Sequence, residues 1–181
     1  MGNFILTSEQ EASEILPVVD ERDRVIGCCR RDEIHRLGLR HRASHILVFD
    51  PQNRLFLQRR GLHKESSPGL WDSSVAGHVD HGESYDQCCL REMEEEIGIH
   101  VTDAPEQLFK LEACPATGME FSWIYRLVTE ESLSPNFSEM EAGQWYEVTE
   151  VDRNLQKCPE DFSETFHLIW ARYRGWEAPI R

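Results

Sequence analysis

Hydrophobic and polar residues are grouped along the N-terminal third of the chain into short segments that predict strands. The apolar segments 15–20 and 25–29 flank a polar turn and predict an N-terminal β-hairpin. A short helix is expected at residues 32–37. Two further apolar segments, 43–49 and 55–58, are joined by residues typical of a turn and predict a second hairpin.

A longer helical pattern covers residues 84–97, where Cys89, Met93 and Ile97 recur every fourth residue before Gly98, a suitable helix stop. The remaining pattern predicts strands at residues 73–76, 108–112, 121–128 and 144–148 and a closing helix at residues 162–173. Strands mixed with a few helices favour an α/β fold in which a sheet is sandwiched between helices.

The length and charge of the chain narrow its function. The 181 residues predict one domain, 1–181. Lys and Arg total 19 against 33 Asp and Glu, a net charge of −14, which argues against a nucleic-acid polymer or an anionic membrane as partner. The absence of a signal-like N-terminus and of a long apolar stretch, together with six cysteines, predicts a cytoplasmic protein with reduced thiols.

The helical segment carries an unusual acidic cluster. Glu92, Glu95 and Glu96 stand at positions i, i+3 and i+4 and share one face, away from the apolar stripe. Like charges in this arrangement repel by about 0.2–0.5 kcal/mol per pair on an exposed helix. A hard divalent cation removes the conflict, because it binds carboxylate and phosphate oxygens together. From the helix alone, a solvated acidic face is the alternative interpretation.

The spacing around the cluster is more specific. Residues at fixed intervals through 77–99 match the pattern G-x5-E-x7-R-E-U-x-E-E-x-G-U, where U is aliphatic. The matching residues are Gly77, Glu83, Arg91, Glu92, Met93, Glu95, Glu96, Gly98 and Ile99. This pattern resembles the Nudix box of the Nudix hydrolase superfamily. The resemblance implies an α/β/α sandwich with a mixed sheet, here with an N-terminal β-hairpin extension over about residues 1–40.

The same resemblance implies a reaction and roles for the residues of the box. Nudix hydrolases cleave a diphosphate bond in a nucleoside-diphosphate-like or related small organic diphosphate and use Mg²⁺ or Mn²⁺. The implied metal ligands are the carboxylates of Glu92, Glu95 and Glu96 and the carbonyl of Gly77. Glu83 and Arg91 are expected to form an ion pair that holds the loop against the helix.

The residue that activates water is left open by the box. Glu92 and Glu95 are two alternatives. Glu139, in the acidic stretch 138–141, resembles a glutamate that many relatives place on a loop over the metals, although a solvated loop residue is equally compatible with the sequence.

Outside the box, Lys64 and the segments 39–43, 58–60, 68–72 and 74–78 resemble the Nudix branch that contains isopentenyl-diphosphate isomerase. Those isomerases carry a catalytic cysteine in the segment equivalent to 74–78, where this chain has an alanine, Ala76. The missing thiol and the complete box favour hydrolysis. An isomerase and a non-catalytic nucleotide sensor are the alternatives.

The isomerases also bind metal through His and Glu residues. His41, His78 and Glu120 lie at positions that look equivalent, which implies a second metal site. The alternatives for His41 and His78 are side chains that face the substrate phosphates and ordinary surface residues. His45 lies inside an apolar strand and is expected to be a packed core histidine.

Basic and aromatic residues complete the predicted binding groups. Arg59, Arg60 and Lys64 are candidate phosphate ligands, and the two arginines are expected to point to opposite faces of a strand. Four aromatic residues are candidates for stacking on a base or isoprenoid, with core packing the favoured interpretation: Trp71, Phe121, Trp123 and Trp145. The expected partner is a small phosphorylated substrate. The oligomeric state is left open, with a homodimer as one alternative.

Overall fold

The computed structural model describes residues 14–175. Its strands are β1 Ile15–Val19, β2 Val25–Arg30, β3 His41–Phe49, β4 Arg54–Arg60, β5 Trp71–Asp72, β6 Val75–His78, β7 Glu106–Leu111, β8 Glu120–Val128 and β9 Met140–Glu147. Its α-helices are α1 Arg31–Leu37, α2 Tyr85–Ile97, α3 Val148–Lys157 and α4 Glu164–Arg174. None of these helices is long and apolar enough to cross a membrane.

The strands form two sheets. β1 and β2 make a separate antiparallel pair, the expected N-terminal hairpin. The other seven strands form one sheet in which the order β5-β4-β3-β8-β7 is extended by β6 beside β3 and β9 beside β4. β3 and β8 run parallel, whereas the other pairs in this sheet are antiparallel. The predicted mixed sheet is therefore confirmed.

Alternating residues of the central strand β3 build two cores, one on each face of the sheet. Ile46 and Val48 pack with the buried side of α2. Leu47 and Phe49 point the other way and pack with α3 and α4. Full burial of each such side chain stabilises the fold by about 1.5–3 kcal/mol. Helices thus cover both faces, which confirms the predicted α/β/α sandwich.

The sequence pattern missed the helix α3 and the short strand β5, and it misplaced several boundaries. The strands expected at residues 73–76 and 144–148 are Val75–His78 and Met140–Glu147. α3 follows β9 without a break, but only Val151 and Leu155 of this helix are buried, so its apolar period is too short to recognise among its polar residues. The closing helix was expected from residue 162. It begins instead at Glu164, because the Ser163 hydroxyl accepts a hydrogen bond from the backbone N–H of Phe166 and caps the first turn.

The N-terminal hairpin is fastened to the main sheet through Asp23, which lies in its turn. The Asp23 carboxylate accepts hydrogen bonds from Arg42 Nε at 2.6 Å and from the Tyr85 hydroxyl at 2.9 Å, and it pairs with Lys110. This anchor fixes the helix that follows the hairpin, α1, beside the main sheet. His35 on α1 thereby reaches the cavity described next.

Candidate metal and phosphate site

A cavity of about 1440 Å³ opens between α1, β6, α2, the loop after β4 and the start of α4. Most of the residues predicted from the sequence line it: Gly77, Arg91, Glu92, Glu95, Glu96, Arg60, Lys64, His78, Glu120 and Glu139. Glu83, His41 and Arg59 are not part of this lining. The box residues and the residues predicted outside the box therefore meet at one place.

Local sequence defines both ends of α2, the helix that carries the glutamates. Ser84 caps the N-terminus, and its side chain and that of Gln87 exchange hydrogen bonds with each other's backbone N–H. Such a cap is worth about 1 kcal/mol. The helix ends at Gly98, whose φ of 69° suits a residue without a side chain. These ends place Glu92 and Glu96 beside β6.

Glu92 lies against the backbone of β6, and Gly77 makes this approach possible. A β-carbon at Gly77 would overlap the Glu92 carboxylate. The Glu92 side chain is 12 % exposed and accepts a hydrogen bond from Arg91 Nη1 at 2.6 Å. Burial raises the pKa of Glu92 to about 7. The glycine therefore leaves room for a carboxylate beside a backbone carbonyl.

Glu96 is the more deeply buried carboxylate. Its Oε2 accepts hydrogen bonds from Gln58 Nε2 at 3.0 Å and from the backbone N–H of Ala76 at 3.3 Å. Burial, followed by the neighbouring charge of Glu92, raises the pKa of Glu96 to about 8. Two neighbouring carboxylates that are largely shielded from water and repel each other are a donor set that fits a hard divalent cation.

Arg91 ties the preceding loop to the acidic face. Its Nε and Nη2 each donate to the Glu83 carboxylate at 3.0 Å, and Nη2 also donates to the His78 carbonyl at 3.0 Å. Its Nη1 donates to Glu95 at 3.1 Å. Burial lowers the pKa of Arg91, but the carboxylates around it outweigh burial and raise it. Glu95 itself is 57 % exposed and lies at the rim of the cavity.

Two of the cations that line the cavity, Arg60 and Lys64, come from β4 and the loop that follows it, and Arg31, Arg36 and Arg91 line it as well. Lys64 pairs with Glu139. Arg60 Nη1 lies 3.5 Å from Asp72, and its Nε donates to the Ser66 carbonyl at 2.9 Å. Arg59 points away, to the Gly69 carbonyl, as strand alternation predicts. Arg60 and Lys64 are thus the basic side chains that face this part of the site.

A second cluster lies at the wall of the same cavity, where His35, His78 and Glu120 line the cavity and His41 lies behind them. The ligand atoms of His35, His41, His78 and Glu120 all lie within 4.8 Å of one another. His78 Nε2 is 3.1 Å from the Glu120 carboxylate. His41 is fully buried, and its Nδ1 is 2.9 Å from the Leu39 carbonyl. Within residues 14–175, His41 Nε2 has no hydrogen-bond partner, and it lies 3.6 Å from Glu120.

The protonation states of this cluster suit a metal. Burial lowers the pKa of His78 to about 3 and also lowers that of His35, so both imidazoles are neutral near pH 7. Burial alone would raise the pKa of Glu120, but the imidazoles of His41 and His78 hold it well below its usual range. Neutral imidazoles with one carboxylate form a donor set used by Zn²⁺, Mn²⁺ and Fe²⁺.

His35 was missed by sequence reasoning. It lies outside every motif, and only the docking of α1 brings it to the cluster. His45, by contrast, was expected in the core: it is buried, and its Nδ1 is 2.8 Å from the Ser73 hydroxyl.

The four aromatic residues considered for stacking pack elsewhere. Trp71 lies edge-on to Tyr146, and Trp145 packs against Phe56. Phe121 is buried beneath the Lys110 ammonium, and Trp123 packs on the α2 core. None of the four lines the cavity.

Comparison with known proteins gives the family. The NUDIX domain model matches residues 39–166. An uncharacterized Nudix hydrolase of Streptomyces coelicolor is 36% identical over 166 residues, which cover 91% of each chain. An isopentenyl-diphosphate Delta-isomerase of Burkholderia multivorans is 33% identical over 162 residues, which cover 88% of this chain and 92% of the relative.

Solved structures agree in fold. A crystal structure from Deinococcus radiodurans matches with a TM-score of 0.70 and 25% identity, covering 80% of this chain and 90% of that one. The NUDIX domain of Shewanella oneidensis NrtR, solved with ADP ribose, matches with a TM-score of 0.56 and 18% identity, covering 74% and 85%. By sequence pattern, fold and relatives, this chain belongs to the Nudix hydrolase family.

Proposed function

We propose that the chain hydrolyses a diphosphate bond in a small organic diphosphate, such as a nucleoside-diphosphate-like compound, with Mg²⁺ or Mn²⁺ as cofactor. The observation that carries this proposal is the burial of Glu92 and Glu96 beside Gly77, in the same cavity that presents Arg60 and Lys64. Acidic metal ligands and phosphate-binding cations are both needed to hold a diphosphate.

The Gly77 carbonyl, Glu92, Glu95 and Glu96 would hold the cation. When bound, it neutralises diphosphate oxygens and polarises the phosphorus under attack. Arg91 keeps Glu92 oriented by its hydrogen bond and joins it to the His78 carbonyl, next to Gly77 on β6.

Side chains around the acidic face bind the phosphates and activate the attacking water. Arg60 and Lys64 bind phosphate oxygens and stabilise the charge that builds up on the leaving phosphate. Glu139 is close enough to Glu96 to raise its pKa, and Lys64 holds the Glu139 carboxylate in place. We assign Glu139 to orient and deprotonate the attacking water, with Glu92 and Glu95 as the alternative bases.

The histidine cluster supports a second cation site in the same cavity. His41 Nε2 is buried and has no partner in the part of the chain that the structure describes, which is unfavourable unless a bound cation accepts its lone pair. We propose that His35, His41, His78 and Glu120 hold this second divalent cation.

The test is a divalent-dependent assay of several diphosphates, with products identified by mass. Wild type is compared with Glu96→Gln, Glu139→Gln and the exposed control Glu106→Gln. We expect cleavage that requires metal, is abolished in Glu96→Gln and falls about 10²–10⁴-fold in Glu139→Gln. Isomerisation of isopentenyl diphosphate without phosphate release would replace hydrolysis by the isomerase alternative. Tight binding without any product would indicate a sensor.

A further inference from the structure

The part of the cavity near β5 and the start of α4 has a distinctive chemistry. Its lining here is made of hydroxyls and carboxylates, of which Asp72 is buried and the others are exposed or partly buried. We call these residues the polar wall: Ser66, Ser67, Asp72, Glu164 and Thr165. The start of α4 is joined to β5, because the backbone N–H of Ser163, the residue before α4, donates to the Trp71 carbonyl at 3.0 Å. The Thr165 hydroxyl reaches the Ala116 carbonyl at 3.3 Å.

The apolar residues that line the cavity within residues 14–175 are all small. They are Ala43, Ala76, Pro115 and Ala116, with Gly77 and Gly118. A nucleobase is bound by stacking on a flat ring, and an isoprenoid by contact with large apolar side chains. The lining offers no large apolar side chain in this range, and the four aromatic candidates for stacking are not part of it.

The imidazoles in the lining contact carboxylates and one another. His78 and His45 lie 3.1 Å and 4.0 Å from the Glu120 carboxylate. His35 Nδ1 is 3.1 Å from Glu65, and its ring lies 5.1 Å from that of His78. These rings face one another and the cluster carboxylate, so they do not form an open platform for a base.

The charges of the polar wall indicate which other organic groups of a substrate could bind there. Asp72 and Glu164 accept hydrogen bonds from hydroxyls but repel further phosphates. Arg60, 3.5 Å from Asp72, supplies a donor next to an acceptor. Paired donors and acceptors of this kind match the adjacent hydroxyls of a sugar or polyol.

From this wall we infer the substrate class: a diphosphate whose organic part is a hydroxyl-rich sugar or polyol, recognised without a base and without an isoprenoid chain. The inference rests on the proposed hydrolase function, since it describes the far end of the same site. A cavity of about 1440 Å³ is larger than the roughly 300–1,000 Å³ common for small-molecule sites, so it holds a sugar together with the diphosphate.

Four matched diphosphates separate this inference from the proposed function. Methyl diphosphate carries almost no organic part, ribose 5-diphosphate adds hydroxyls, uridine 5′-diphosphate adds a base to the same ribose, and isopentenyl diphosphate adds an apolar chain. The kcat/KM of wild type for each is measured with Mg²⁺. We expect ribose 5-diphosphate to exceed methyl and isopentenyl diphosphate by at least about tenfold, as a few hydrogen bonds would give. The base should add less than about threefold.

Variants of the polar wall test whether its side chains cause the preference for ribose 5-diphosphate. Glu164→Gln should raise the KM for ribose 5-diphosphate several-fold and leave that for methyl diphosphate unchanged. Thr165→Val, a second variant, should do the same. The control Glu160→Gln makes the same charge change at an exposed residue outside the cavity and should alter neither KM.

The outcomes are distinguishable. Hydrolysis of methyl diphosphate with a preference for the uridine or isopentenyl compound would overturn the substrate class and leave the hydrolase intact. Equal KM values in wild type and both wall variants would also overturn it. Failure to hydrolyse any of the four compounds would overturn the proposed function itself.

Discussion

Replacing Glu96 by Gln should make the metal-free protein more stable. Glu96 is buried beside Glu92, and its pKa of about 8 means that the folded state binds a proton more tightly than the unfolded chain does. The free energy of unfolding therefore falls as pH rises from the ordinary value near 4.5 to about 8. The glutamine side chain carries no charge, so it removes this pH-dependent loss.

The size of the effect follows from the pKa. At about 1.4 kcal/mol per pKa unit, the difference between 4.5 and about 8 gives an upper limit of about 4–5 kcal/mol. Water in the open cavity reduces the penalty, and we expect Glu96→Gln to gain about 1–2 kcal/mol at pH 9. For a chain of this size, that gain raises Tm by about 2–8 °C. The glutamine carbonyl still accepts from Gln58 and Ala76, so the local fold is kept.

The assay is thermal unfolding in chelator at pH 5 and pH 9. We expect a higher Tm for Glu96→Gln at pH 9, little difference at pH 5, and a reversed order when Mg²⁺ is added, because only wild type gains full binding energy from the cation. The exposed control Glu106→Gln should change stability by less than about 0.5 kcal/mol. A Glu96→Gln protein that melts at or below wild type in chelator at pH 9 would refute the clustered-carboxylate geometry.

Three further predictions test other parts of the site. Gly77→Ala should displace the Glu92 carboxylate and lower kcat about a hundredfold. The control Gly27→Ala, where a β-carbon meets open space, should leave kcat unchanged, and equal kcat values for the two variants would contradict the close packing of Gly77 and Glu92. His78→Asn should reduce bound Mn²⁺ or Zn²⁺ from about two to about one per chain by elemental analysis, and an unchanged count would exclude the histidine site. Glu83→Gln should free Arg91 and weaken Mg²⁺ binding about tenfold by calorimetry; unaltered affinity would show that this ion pair does not orient the ligands.

The parts of the site that sequence could predict are those set by local spacing. The box glutamates share one helix face, and Arg60 and Arg59 alternate along one strand, so their placement follows from helix and strand periods alone. His35 could not be predicted, because its place depends on how Asp23 anchors the hairpin to Arg42 and Tyr85, well beyond any local pattern.

The fold was also predictable where it follows from local helix and strand periods. Strand alternation and the strong stripe of α2 indicated a sheet between helices, and the resemblance to the Nudix box implied that the sheet is mixed. α3 was missed because just two of its residues reach the core. Trp71 and Trp145 pack against Tyr146 and Phe56, so they do not add aromatic rings to the polar wall. This packing depends on long-range contacts that residue type does not specify.

The central claim is that the box carboxylates support attack of water on a diphosphate. It is tested most directly by reaction in ¹⁸O-labelled water with Mg²⁺ and a cleavable diphosphate, followed by mass analysis of the phosphate products. We expect one ¹⁸O atom in one product, and no product in chelator or in Glu96→Gln. Turnover without incorporation of ¹⁸O, or isomerised isopentenyl diphosphate with no phosphate released, would contradict the claim.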